Sequence, residues 1–389
     1  MERTMRHSEP NKFNLQYESD GVNSYRYLYI LNFTDQTVSV FDTNSHTVVA
    51  TITLSSGKNI TAVHYVPKNH SVYALASAWY DRIDANPASG TFNTVVQSGA
   101  FTNNSNVPVT NYNPVVDAFM STFGELFFIG SDNSVNMAST NNKWPVIFRP
   151  TIINEGRNFS IANLNVSPTN IIPFGTTGLF LIPGSNNGTM FAIYKLVNYS
   201  GTLSWIDVSF GESKNRVGYP CKVGNFIFSG RTNVGSYDVI DLETGLTLTT
   251  FSLSPTDRVS AKYVPVGGVG GRIFVYQKIN TNTNISVVDW ATKTDMGDIS
   301  RSGYKATDEN CTKQAIYCPY DKCFYVMGGN SSGTGTVNKL HRYDPTQVLA
   351  SMYINSYTIG NSATDSSHYI ERVMCMNGIE RYDYNDPMK

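Results

Sequence analysis

Four residues of acid, base or charge-carrying type stand on separate short apolar segments: His64, Asp117, Lys262 and Glu371. An imidazole titrates near neutrality and a carboxylate can relay or orient a proton. On first strands of different units the four could in principle form an acid–base group. The favoured reading is polar side chains solvating a water-filled channel. Their wide separation means that chemistry is open to them only if the fold gathers segments from several parts of the chain.

Local catalytic signals are absent. There is no Gly-x-Ser-x-Gly elbow for a serine nucleophile and no His-Glu-x-x-His for a zinc hydrolase. The run Gly267-Gly268-Val269-Gly270-Gly271 has neither the lysine nor the helix that a phosphate cradle needs, and it reads as a turn. Asp132-Asn133-Ser134 is too short for a calcium loop. Arg82, Arg216, Arg258 and Arg372 are too scattered to predict a carboxylate-binding cluster. The six histidines have no metal-ligand spacing, and Cys311, Cys318 and Cys323 match no zinc pattern. Cys318 and Cys323 flank the turn Pro319-Tyr320-Asp321-Lys322, as thiols on adjacent strands would. Neither a metal nor a cofactor is expected.

The elements that would position these residues are strands. The chain is a succession of short runs rich in Val, Ile, Tyr, Phe and Thr, bounded by Gly, Asn, Asp, Ser and Pro. No stretch holds a helical apolar period for a dozen residues, which predicts an all-β fold. A longer unit recurs. One strand ends in a Tyr/Pro motif, as in Ala62 to Pro67, Ala261 to Pro265 and Ala315 to Pro319. An apolar strand follows, as in Ser71 to Ala76, Arg272 to Tyr276 and Cys323 to Met327. The third strand ends in aspartate at Asp42, Asp241, Asp289 and Asp344, placed to accept backbone N–H groups in a turn, and the fourth is Thr-rich or apolar.

Units of about 40 to 50 residues with four strands are the signature of a β-propeller, because one twisted sheet cannot bury both its faces alone. First strands fall near Thr61, Val115, Ile171, Arg216, Val259 and Gln314. The N-terminal segment supplies three strands, and the surplus strand His368 to Met376 completes its sheet. The expectation is a seven-bladed propeller with four antiparallel strands per blade, its first blade closed by the C-terminal strand. Residues 1–24 are then an N-terminal arm, and 25–389 a single domain.

The stretches Tyr27 to Asn32 (YLYILN), Thr37 to Thr43 (TVSVFDT) and Thr47 to Ile52 (TVVATI) resemble the YVTN-type seven-bladed propeller repeat. The likeness extends to the surroundings of Asp241, Asp289 and Asp344 and weakens in the second to fourth units, where Ser139 and Leu196 depart from it. The resemblance implies a propeller over nearly the whole chain from Tyr25. It implies little about activity, since that family serves surface layers, adhesion, ligand binding and some enzymes.

Composition sets the remaining bounds. The 29 basic and 30 acidic residues leave a formal charge of -1, which gives no electrostatic argument for nucleic acid or an anionic membrane and predicts no nucleic-acid partner. Charged residues make up only 15%, so the surface is polar but largely uncharged. No apolar run is long enough to span a bilayer, and Met1 to Gly21 has no signal-peptide core. Five cysteines argue for synthesis in a reducing compartment. Asn-x-Ser/Thr triplets, at Asn32, Asn59, Asn158, Asn187, Asn198, Asn284 and Asn330, follow from the Asn, Ser and Thr content alone. Together with the missing catalytic motifs, these features predict a non-enzymatic structural or adhesive protein. The expected setting is a bacteriophage virion, in its tail, collar or capsid decoration, made in the host cytoplasm without a signal peptide. Its expected partners are other virion proteins, docked through residues 1–23, and a host-surface glycan or protein. The alternative expectation is a propeller enzyme, a lyase or glycosidase acting on cell-surface polysaccharide at the channel mouth, with His64 and Glu371 as its candidate residues.

Overall fold

Runs of β-branched and aromatic residues between turn formers become strands throughout the chain. The computed structural model describes residues 26–32, 35–60, 62–66, 69–76, 79–100, 320–328 and 339–359, the turn at 291–292, and otherwise the strands given below. β1 (Tyr27–Asn32) and β2 (Thr37–Asp42) are buried along almost their whole length, whereas β3 (Thr47–Thr53) alternates exposed and half-buried positions. That loss of alternation in β1 and β2 requires cover on both faces of their sheet.

The second sheet is β4 (Ala62–Val66), β5 (Ser71–Ala76), β6 (Trp79–Asp84) and β7 (Val95–Ala100). The third is β8 (Val115–Met120), β9 (Leu126–Ser131), β10 (Lys143–Phe148) and β11 (Gly156–Asn158). The fourth is β12 (Pro168–Phe174), β13 (Gly178–Pro183), β14 (Tyr194–Tyr199) and β15 (Thr202–Asp207). The fifth is β16 (Cys221–Val223), β17 (Phe226–Gly230), β18 (Ser236–Asp241) and β19 (Thr247–Ser252). The sixth is β20 (Lys262–Val269), β21 (Arg272–Ile279), β22 (Asn282–Asp289) and β23 (Thr294–Ile299). The last holds β24 (Ala315–Cys318), β25 (Cys323–Gly328), β26 (Lys339–Tyr343) and β27 (Tyr353–Thr358), with one helical turn, α1 (Leu349–Met352), before its outer strand.

β28 (Met374–Met376) returns to the beginning of the chain and pairs antiparallel with β1, setting Met376 opposite Leu28 and Met374 opposite Ile30. The first sheet therefore runs β28-β1-β2-β3. Residues 368–373, expected in the same strand, lie outside the described residues, as do Arg216 and Val259, the expected starts of the fifth and sixth first strands. There the described strands begin at Cys221 and Lys262.

First strands of successive sheets lie against each other: β28 on β4, β4 on β8, β8 on β12, β16 on β20, β20 on β24 and β24 on β28. One apolar cluster joins the first sheet to the second through Tyr29, Leu31, Val38, Val40 and Val63, Tyr65, Val72. Another joins the opposite face to the last sheet through Leu28, Ile30, Phe41 and Cys318, Cys323, Tyr325, Leu340. The first sheet is thus sandwiched between the sheets nearest and farthest in sequence, the arrangement of an all-β propeller ring.

The repeat carries a further local device. In five sheets the pairing of third and fourth strands slips by one residue just before the turn: at Val40/Phe41, Arg82/Ile83, Val239/Ile240, Val287/Val288 and Arg342/Tyr343. An aspartate follows each bulge: Asp42, Asp84, Asp241, Asp289 and Asp344. A bulge sharpens twist, and the carboxylates of Asp42, Asp84, Asp289 and Asp344 then tie the turn that re-aims the outer strand.

Candidate functional site

The inner strands are where side chains from different sheets meet, and three of the four sequence candidates stand on them. His64 is the middle residue of β4, paired with Tyr73, and Asp117 falls in the bulge of β8 between Val115 and Ala118. Because β4 and β8 touch, the fold brings these two onto neighbouring strands. Lys262 opens β20, whose inner-strand neighbours are β16 and β24, so it is not brought beside His64 or Asp117. Glu371 lies outside the described residues.

The turn aspartates are structural acceptors. Asp42 takes two bonds from the Arg26 guanidinium at 2.6 Å, one from the Asn44 N–H at 2.9 Å and one from the Ser45 hydroxyl at 3.1 Å. Asp84 accepts the Asn86 N–H at 3.0 Å and the Thr91 hydroxyl at 2.6 Å. Asp289 holds Thr292 through its N–H and hydroxyl at 2.7 and 2.8 Å, and Asp344 holds Thr346 in the same way at 2.9 and 2.6 Å. Burial raises the pKa of Asp42, Asp84 and Asp344, but the bonds outweigh it and all three lie below the ordinary carboxylate value. Asp289 is lowered chiefly by the Thr292 N–H and hydroxyl.

An imidazole, a phenol, a carboxylate and a guanidinium do converge where the first and last sheets meet. Asp321, in the β24–β25 turn, accepts the Tyr325 hydroxyl at 2.6 Å, the Arg342 guanidinium at 3.0 Å and the Cys323 N–H at 3.2 Å. His46, in the β2–β3 turn, stacks on Tyr357 with centroids 5.4 Å apart and sets Nε2 3.9 Å from the Asp321 carboxylate. Burial and then the Arg342 charge hold its pKa below the ordinary histidine value, against Asp321 and Asp42, so the ring is neutral at pH 7. The seam continues through the Tyr320 hydroxyl to Asn44 at 3.2 Å and the Cys318 thiol to Thr43 at 3.6 Å.

This geometry makes a clamp rather than a reaction centre. The Tyr325 ring is fully buried and its hydroxyl is committed to Asp321, while His46 Nε2 is itself buried. Burial pushes the thiols of Cys318 and Cys323 up to about 12 and about 11, so neither supplies a nucleophile. Among the described residues no group of three His, Cys, Asp or Glu could hold a metal ion, and no helix is long and apolar enough to cross a membrane.

Sequence reasoning missed one arrangement near the start of β6. Asp81, fully buried, accepts the Ser55 N–H at 2.6 Å, the Ser55 hydroxyl at 2.7 Å and the Trp79 indole N–H at 3.0 Å. It fastens the β3–β4 connection to the indole, and Lys58 of that connection sets its ammonium 3.9 Å from the centre of the Trp79 ring. The Trp79-x-Asp81 spacing on one strand face was the available signal, but Lys58 comes from the connection between the first and second sheets.

No protein-family profile and no curated protein matches the chain. Solved structures do. The periplasmic gluconolactonase PpgL of Pseudomonas aeruginosa matches with a TM-score of 0.57 and 14% identity over 90% of this chain and 99% of that one. Virginiamycin B lyase from Staphylococcus aureus matches with a TM-score of 0.50 and 12% identity over 90% and 98%. The dihydro-heme d1 dehydrogenase NirN matches with a TM-score of 0.52 and 10% identity, and this chain, matched over 89% of its length, spans 66% of that protein. These likenesses and the stacked antiparallel sheets establish the β-propeller fold, which is what remains of the YVTN resemblance. They also overturn the expectation of a non-enzymatic virion component: the fold neighbours named here are a lactonase, a lyase and a dehydrogenase, and none is a virion protein. Missing linear motifs carry no weight against an enzyme of this fold, because a propeller can draw the residues of a site from several sheets and so leave no local pattern. The chain is similar to propeller enzymes in fold, at identities of 10 to 14%.

Proposed function

We propose that residues 25–389 form one seven-bladed propeller, with four antiparallel strands to a blade and the first blade closed by the C-terminal strand, and that this propeller is a polysaccharide lyase. Seven four-stranded sheets among the described residues support the blade number. The observation that carries the activity is the contact between β4 and β8, which sets His64 and Asp117 on neighbouring inner strands.

A histidine and an aspartate on neighbouring inner strands suit proton abstraction next to a carbonyl group. His64 takes the proton from the carbon beside the carboxylate of a uronic-acid residue in a cell-surface polysaccharide. The electron pair left behind forms a carbon–carbon double bond as the glycosidic C–O bond breaks, and the departing oxygen receives a proton. Asp117 fixes the imidazole tautomer, and Lys262 adds positive charge at the channel mouth for the acidic chain. A glycosidase would instead need two carboxylates flanking the scissile bond. That a structure of this fold is a lyase by name supports the class.

Purified protein given a uronic-acid polysaccharide should generate ultraviolet absorbance from the new double bond. His64→Ala should lower kcat by about a hundredfold or more, the range of a lost general base, with circular dichroism unchanged. Turnover that persists undiminished in both His64→Ala and Asp117→Asn would remove these residues from the chemistry.

A further inference from the structure

Trp79 and Lys58 stand at the end of the second sheet where inner strands begin. The register sets Ala62, the first residue of β4, opposite Leu75, and Ala76 opposite Trp79, so the β3–β4 connection and the start of β6 share that end. Lys262, the first residue of β20, occupies the corresponding end of its own inner strand.

The indole is held rigidly. Its N–H is tied to the buried Asp81 carboxylate at 3.0 Å, and the same carboxylate holds Ser55 through two further bonds. Gln36 pins the far end of the connection, accepting the Ile60 N–H at 2.7 Å and donating to its carbonyl at 3.3 Å. Between these anchors, Gly57 at φ 70° and Asn59 at φ 52° turn the backbone so that Lys58 reaches over the ring. The ring is half-buried and Lys58 is likewise only partly exposed, leaving the pair at the surface.

We propose that Trp79 and Lys58 form a binding subsite for an anionic sugar, a pyranose carrying a carboxylate. A lysine over an indole at an exposed position is a weak contact, and a charge-assisted bond from the same ammonium to a carboxylate is stronger. A sugar carboxylate therefore draws Lys58 off the ring, and the uncovered indole face takes the C–H face of the pyranose. Asp81 keeps the indole in place during the exchange, so little ordering is lost on binding. The inference rests on the polysaccharide reading for its ligand class, but it concerns binding and not turnover.

Calorimetric titration of the full chain with oligogalacturonate, against neutral cello-oligosaccharide as control, tests it. The acidic oligosaccharide should bind and the neutral one should bind more weakly. Lys58→Gln should cost about tenfold in affinity for the acidic ligand, abolish the preference and flatten the salt dependence. Trp79→Phe should retain most of the binding and Trp79→Ala should lose it. Calorimetry reads binding whether or not the chain turns the ligand over, which separates this subsite from the proposed chemistry. Equal affinity for acidic and neutral ligands, or binding unaltered in Lys58→Gln, overturns the proposal, and Lys58→Gln leaves the core untouched.

Discussion

Asp42 and Asp81 are both almost wholly buried, and both are surrounded by donors: a guanidinium with turn N–H and hydroxyl groups for one, Ser55 and an indole for the other. A buried carboxylate without such partners would be costly, so each works as a fastener. His46 is fastened differently. It holds a left-handed backbone at φ 56°, stacks on Tyr357, and keeps its pKa low because of burial and Arg342. Since the folded-state value is depressed, the unfolded chain binds the proton first as pH falls. The associated stability is fully present above about pH 6.5, the ordinary value, and is lost as pH drops through the lowered one. Thermal melts should therefore show Tm falling as pH drops through that interval, and falling less in His46→Asn, which tolerates the left-handed backbone and has no titrating ring. Parallel pH profiles for parent and variant would contradict the neutral-ring assignment. The turn aspartates add a separate loss below about pH 4, because their values are lowered and the unfolded chain takes up protons first as pH falls.

At the scale of elements, β28 is the piece on which the ring depends. It covers the edge of β1 at Leu28, Tyr29 and Ile30, and it touches both β4 and β24. Removing residues 368–389 should bare that edge and give aggregated protein by size-exclusion chromatography and light scattering. A soluble, monomeric truncation would contradict closure by the chain ends. The strands ending in Asp42, Asp241 and Asp289 were legible in the sequence because short runs of strand-forming residues end there in a turn former, and Asp344 follows directly on β26. The closing strand was legible as an apolar surplus. The repeated bulge before each turn aspartate was not, because a one-residue slip in pairing belongs to two strands at once. Residues 1–24, the expected N-terminal arm, lie outside the described residues.

Over the whole molecule, a ring of sheets removes the need for strong local signatures. His64 and Asp117 are separated by an entire sheet in sequence yet stand on touching strands. Lys58 and Trp79 meet in the same way, one from a connection and the other from a strand start. The alternation that betrays a strand says nothing about which strands become neighbours, which is why the candidate residues were nameable from the sequence and their grouping was not. The most direct measurement is mass spectrometry of the products released from a uronic-acid polysaccharide by the purified chain. Elimination predicts fragments whose new non-reducing ends carry a double bond and are lighter by one water than hydrolytic fragments. Fragments of full hydrolytic mass, or an intact polymer after prolonged incubation, would contradict the assignment of a propeller lyase.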